Sequence, residues 1–216
     1  MPFDPTAESA ALVAILRGLE PTRAIETGRV LHAAGIRVIE IPLNSPEPFA
    51  SIAALVAKYG ADCLIGAGTV LDQDAVNRTH AAGGRLIVAP NCDPDVIRRA
   101  LDLGMEVMPG IATPTEAFTA IRAGATKLKL FPAAAHGTRF LQALRAVLPS
   151  GIRMYPVGGV GAADIPAWLA AGAEGFGFGG ELFRPEYDSP EIGRRASQLV
   201  QAFQAARRMH AAERAR

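Results

Sequence analysis

The chain is short of aromatic residues, which form 6% of its 216 positions, and it carries two cysteines, four histidines and no surplus of either charge, with 22 basic against 21 acidic residues. Each shortage excludes something. A net charge of +1 supplies no general attraction for a polyanion, so neither nucleic acid nor an anionic membrane is an expected partner. Cys63 and Cys92 stand far apart in different apolar segments, fitting neither a disulfide framework nor a metal-binding spacing, and a reducing cytoplasm is the expected location. His32, His80, His136 and His210 are scattered with no pair at ligand spacing, so no metal is expected. No apolar run approaches the roughly 20 residues of a membrane span, and no basic segment followed by an apolar one opens the chain.

What the chain has in quantity is Ala, Val, Ile and Leu, within an apolar fraction of 50%, together with 22 Gly and 16 Pro. A chain of this mass buries roughly 70% of its extended surface on folding, so no disulfide or metal staple is needed. Short apolar runs recur along it, each followed by turn residues and a helical pattern. The strand candidates are Leu12–Leu16, Val38–Ile41, Cys63–Ala67, Leu86–Ala89, Glu106–Met108, Lys127–Leu130, Arg153–Val157 and Glu174–Phe178. Their starts lie roughly 20 to 26 residues apart, the length of one strand, one helix and two loops. Pro21, Pro46 and Pro94 mark helix starts, where a missing N–H is harmless. Gly35, Gly83, Gly104, Gly124 and Gly172 mark helix ends, where a left-handed residue closes the last turn.

Eight such units without a linker predict a single (β/α)8 TIM barrel domain spanning residues 1–216, with a C-terminal helix from about 189 and a basic tail containing Arg207, Arg208, Arg214 and Arg216. An open doubly wound sheet is the competing architecture. Gly175–Gly180 spells G-x-G-x-x-G, but no strand and helix pair follows it, so a dinucleotide site is not expected.

In such a barrel, chemistry sits at the C-terminal ends of the strands. Alternation turns Ile39 and Ile41 toward the helices and Glu40 into the interior, where desolvation favours a neutral carboxyl suited to moving protons. Lys127 and Lys129 share the inward parity. Depth separates them, because Lys129 stands about 7 Å further toward the active end and can become a nucleophilic amine. Arg17 follows the first strand as a second cation able to clamp a carboxylate. Gly158 and Gly159 after the seventh strand, with Gly179 and Gly180 after the eighth, let backbone N–H groups approach a phosphate. A structural ion pair between Lys129 and Glu40, with the glycines serving tight turns, remains the alternative at this point. His136 follows the sixth strand at the same end.

Ala14–Gly18, Ile39–Pro46, Gly66–Val70, Pro90-Asn91, Leu128–Pro132 and Val157–Val160 resemble, in order, the signatures of the class I KDPG/KHG aldolase family, over about Ala11 to Arg184. The resemblance implies a lyase with Lys129 as the Schiff-base lysine and Glu40 as the proton shuttle. It implies that Arg17 and Thr69 bind the pyruvate carboxylate, that Pro90 lines the pocket, and that Gly158, Gly159, Gly179 and Gly180 hold the phosphate. Val157 and Asn44 are the residues of the family's phosphogalactonate branch, where the phosphogluconate branch usually has threonine and arginine. The implied ligands are a phosphorylated sugar acid, pyruvate and glyceraldehyde 3-phosphate, with no cofactor, and the implied assembly is a homotrimer. Many members carry a serine at the phosphate where this chain has Gly180, which predicts somewhat weaker phosphate binding. Outside that family, the same residues would also suit a non-covalent sugar-phosphate isomerase using Glu40, or a barrel that binds a sugar phosphate without turning it over.

Overall fold

The computed structural model describes residues 11–214, so Arg216 of the basic tail, and the first ten positions of the expected domain, lie outside the described residues. Strands and helices alternate: β1 (Leu12–Ile15), α1 (Pro21–Ala34), β2 (Val38–Pro42), α2 (Pro48–Tyr59), β3 (Leu64–Gly68), α3 (Gln73–Ala81), β4 (Leu86–Val88), α4 (Pro94–Asp102) and β5 (Glu106–Met108). They continue as β6 (Gly110–Ile111), α5 (Pro114–Arg122), β7 (Lys127–Leu130), α6 (Ala133–Arg145), β8 (Arg153–Pro156), α7 (Ile165–Ala170), β9 (Phe176–Phe178) and α8 (Ser189–Arg214). Helix α8 packs across α1 and α7.

The expected element order is present, with local differences. Helix α2 starts at Pro48 rather than Pro46, because Pro42 O accepts the Ser45 N–H in a turn and Glu47 takes a left-handed conformation as the residue before the helix. The last strand starts at Phe176 rather than Glu174, whose carboxylate instead accepts the Met154 N–H at 2.8 Å. The five glycines expected at helix ends all have positive φ, between 68° for Gly104 and 105° for Gly124.

All strand pairs are parallel. Six strands form a curled sheet in the order β5-β4-β3-β2-β1-β9, and three form a second sheet in the order β6-β7-β8. The expected eight-strand barrel is therefore present in coarser form, as an α/β fold with a curled half-barrel sheet. The fifth unit is split at Pro109, which has no N–H to offer the ladder; its carbonyl accepts the Lys129 N–H at 2.9 Å. At the other junction only one bridge, Val157 to Gly177, and the bond from Glu174 N to Met154 O at 3.0 Å connect β8 with β9.

Two apolar clusters follow from the alternation of side chains. The larger, including Ile39, Ile41, Leu128 and Leu130, lies between the strands and the helices. The smaller, formed by Val13, Val38, Leu64, Leu86, Val88, Met108 and Tyr155, fills the inner side of the curled sheet. Beside it Lys127 is buried and its Nζ donates to Glu106 Oε2 at 2.7 Å. Removing the carboxylate strands a buried cation. Glu106→Ala is expected to cost about 1–3 kcal/mol in a urea titration, the lower end reflecting the partial exposure of Glu106.

Candidate active site

A cavity of about 650 Å³ opens at the C-terminal ends of the strands. Arg17 beyond β1, Thr69 beyond β3, Pro90 beyond β4, Lys129 on β7, Val157 with Gly158 and Gly159 beyond β8, and Gly179 with Gly180 beyond β9 all line it. Loops after five strands, with β7 itself, thus bring together, around one volume, nine of the eleven positions named from the sequence.

The other two, Glu40 and Asn44, stand behind the wall. Asn44 accepts a hydrogen bond from Arg17 Nη1 on its Oδ1 at 2.6 Å, so it orients the guanidinium rather than facing the cavity. Glu40 is 1% exposed, and its Oε2 has no hydrogen-bond partner among the described residues. Burial raises its carboxyl to about 7 from an ordinary 4.5, against the pull of the Lys129 and Arg17 charges. Lys129, 6% exposed, is shifted the other way: burial foremost lowers its ammonium, Glu40 opposes this, and Arg17 adds to it. The two groups are pushed toward each other on the pH scale, the condition for proton exchange near neutrality. The Lys129 Nζ also lies 4.9 Å from the centre of the Phe131 ring.

Backbone geometry makes room for these groups. At Gly68, paired with Pro42 at the end of β3, an added Cβ would lie 1.6 Å from Glu40 Oε2, so the carboxylate occupies the space a side chain would take. Gly68→Ala is expected to displace that carboxylate and cost about 1–3 kcal/mol of stability, read from a denaturant midpoint, with a larger fractional loss of turnover. The next residue, Thr69, holds φ at 57°, a strained value for a β-branched side chain, and stands on the cavity wall. Gly158 and Gly159 have φ of 92° and 72°, and a Cβ on Gly159 would meet the Ala134 methyl at 2.6 Å.

Some wall residues are absent from the sequence reading. Phe131, Phe183, Glu181 and Arg184 line the cavity. The Arg184 segment is irregular, and no periodicity announces where its side chain points; only its nearness in sequence to Gly180 hints at it. His136 is not on the wall and instead meets the Phe140 ring at 4.7 Å. One cluster with metal-ligand spacing among the described residues, His32, Asp62 and Cys63, departs from the reading of the histidines and cysteines as scattered, since folding brings the end of α1 against the start of β3. It sits at the N-terminal end of β3, opposite the cavity.

A buried lysine with a lowered ammonium, a buried carboxyl raised to about 7 and an arginine at the mouth of parallel strands are the groups that Schiff-base aldol chemistry requires. Comparison agrees: the family described as "Aldolase: KDPG and KHG aldolase" matches residues 4–191, and the chain belongs to that family. It is 46% identical over 195 residues to the 2-dehydro-3-deoxy-6-phosphogalactonate aldolase of Escherichia coli (strain K12), covering 90% of this chain and 95% of that one. A solved structure described as native KDPGal superposes with a TM-score of 0.92 at 43% identity, covering 96% of this chain and all of the other. A cube-shaped protein cage, designed by fusing symmetric oligomeric domains, superposes with a TM-score of 0.93 at 44% identity, covering 94% of this chain and 76% of that one.

Proposed function

We propose that this chain is a class I aldolase that cleaves 2-dehydro-3-deoxy-6-phosphogalactonate to pyruvate and D-glyceraldehyde 3-phosphate. The observation that carries the reading is Lys129, buried on the cavity wall with its ammonium lowered and a buried carboxyl held near neutrality beside its charge. The neutral amine attacks the C2 ketone, and loss of water leaves a protonated imine. That nitrogen accepts the electron pair when the C3–C4 bond breaks, and the pair is held as an enamine. Glu40, acting through a water, takes the C4 hydroxyl proton as the aldehyde forms and returns a proton to C3. Hydrolysis then releases pyruvate and restores Lys129.

In this reading Arg17, steadied by Asn44, binds the carboxylate together with Thr69, and Pro90 flanks the imine. The glycine pairs 158–159 and 179–180 receive the phosphate. Val157 puts methyl groups on the wall where a threonine would offer a hydroxyl, which supports the galactonate epimer over the gluconate one. Bonds across both junctions of the two sheets support a single closed eight-stranded barrel. The likeness to a cage designed by fusing symmetric oligomeric domains supports self-association, for which a homotrimer is the proposed form. The free thiols of Cys63 and Cys92 support a reducing compartment, and the cytoplasm is the proposed location.

The deciding experiment assays both epimers side by side, coupling pyruvate release to lactate dehydrogenase, and adds borohydride to enzyme with pyruvate. Faster cleavage of the galactonate epimer and a covalent adduct with the mass of a reduced pyruvate imine are expected. Equal rates would reassign the chain as dual-specific. Isomerase activity without an adduct would replace the aldolase reading.

A further inference from the structure

We propose that Arg184 is the side-chain cation that grips the phosphate end of the substrate, compensating for the hydroxyl that Gly180 lacks and making the site select phosphorylated over unphosphorylated sugar acids. The inference rests on the aldolase reading above for the identity of the substrate, and on the following geometry for the anion.

After β9 the chain turns back on itself. Gly179 O accepts the N–H groups of Leu182 and Phe183 at 2.8 and 2.9 Å, which brings Arg184 over Gly180. Arg184 Nε donates to Gly180 O at 3.3 Å. A Cβ built at position 180 would have Arg184 Nε and Nη2 as its nearest neighbours, at 3.7 and 4.0 Å. The guanidinium therefore stands beside the space that a side chain at 180 would enter, and both residues line the cavity.

Arg184 is available for a ligand. It forms no ion pair among the described residues, whereas Arg17 is tied to Asn44. Its guanidinium lies 5.7 Å from the centre of the Tyr187 ring, a contact that steadies the planar group without neutralising it. A counter-charge is also needed there. Glu181 shares this rim of the cavity, and backbone N–H groups alone would face a phosphate dianion beside that carboxylate. An arginine presents parallel N–H donors matched to two phosphate oxygens, which a lysine cannot reproduce. The expectation of weaker phosphate binding, drawn from Gly180 alone, is thereby revised: the hydroxyl is absent, but a charged donor stands next to it.

The test compares parent and Arg184→Ala enzyme on the phosphorylated sugar acid and on the same acid without its phosphate. The ratio of the two kcat/KM values is expected to fall about 10- to 100-fold in the variant, with the loss in KM. Arg184→Lys should recover part of it, and circular dichroism should match the parent. An unchanged ratio, or equal loss on both substrates, overturns the proposal. Failure of the underlying reading is separate, showing as no cleavage and no pyruvate adduct in the parent. In that event calorimetry with glycerol 3-phosphate still decides the anion site: weaker binding to Arg184→Ala supports it, and equal binding overturns it.

Discussion

Lys129→Ala is expected to lower cleavage by at least about a thousandfold and to abolish borohydride trapping of pyruvate while leaving the protein folded. The magnitude follows from the chemistry. Without an imine, the electrons of the C3–C4 bond have no cationic nitrogen to enter, and no other amine lines the cavity among the described residues. Lys127 cannot take over, because its Nζ is engaged by Glu106 below. Stability should rise slightly or hold, since removing a buried cation relieves a desolvation cost. Trapping that survives the substitution would place the nucleophile elsewhere and sink the assignment.

Glu40→Gln is expected to slow turnover by about 10²- to 10⁴-fold, the usual range for losing a positioned acid–base group, while pyruvate trapping continues at a reduced rate. The pH dependence carries a distinct signature. The carboxylate form accepts the C4 proton, so the parent rate should climb through pH of about 7, where the buried carboxyl ionises. Glu40→Gln should lose that limb. Stability moves in the opposite sense. The folded carboxyl holds its proton up to about pH 7, whereas the unfolded one releases it near 4.5, so the folded state binds more protons between those values and stability falls as pH rises across the window. Below 4.5 the contribution is fully present; above about 7 it is lost, a change of about 3 kcal/mol. Glu40→Gln should flatten that slope, seen by comparing urea midpoints at pH 4.5 and pH 8. A variant with the parent's rate profile would mark Glu40 as structural.

The sequence made the inner surface of the sheet legible because two-residue alternation is strict there: Glu40 and Lys129 could be placed inward, and Ile39, Ile41, Leu128 and Leu130 outward, from parity alone. Glycines at helix ends were legible for a similarly local reason, since a left-handed residue has few substitutes. Two kinds of feature were not. The break at Pro109 depends on how the segment after β5 meets β7 at the junction of the two sheets, a relation between distant segments. The positions of Asn44 and Arg184 depend on loops with no period, where one turn decides whether a side chain faces the cavity, as Arg184 does, or a neighbour, as Asn44 does. His32, Asp62 and Cys63 escaped notice because folding, not spacing, brings them together.

The apolar plug of Val13, Val38, Leu64, Leu86, Val88, Met108 and Tyr155 has a kinetic consequence. It fills the inner side of the sheet below Lys129, while the cavity that Lys129 lines opens at the C-terminal ends of the strands. If the phosphate is received at the glycine rim and the three-carbon fragment is bonded to Lys129, as proposed above, the aldehyde stands between that fragment and the opening. In the proposed reaction departure is then sequential, glyceraldehyde 3-phosphate first and pyruvate last, and in the condensation direction pyruvate is loaded before the aldehyde arrives.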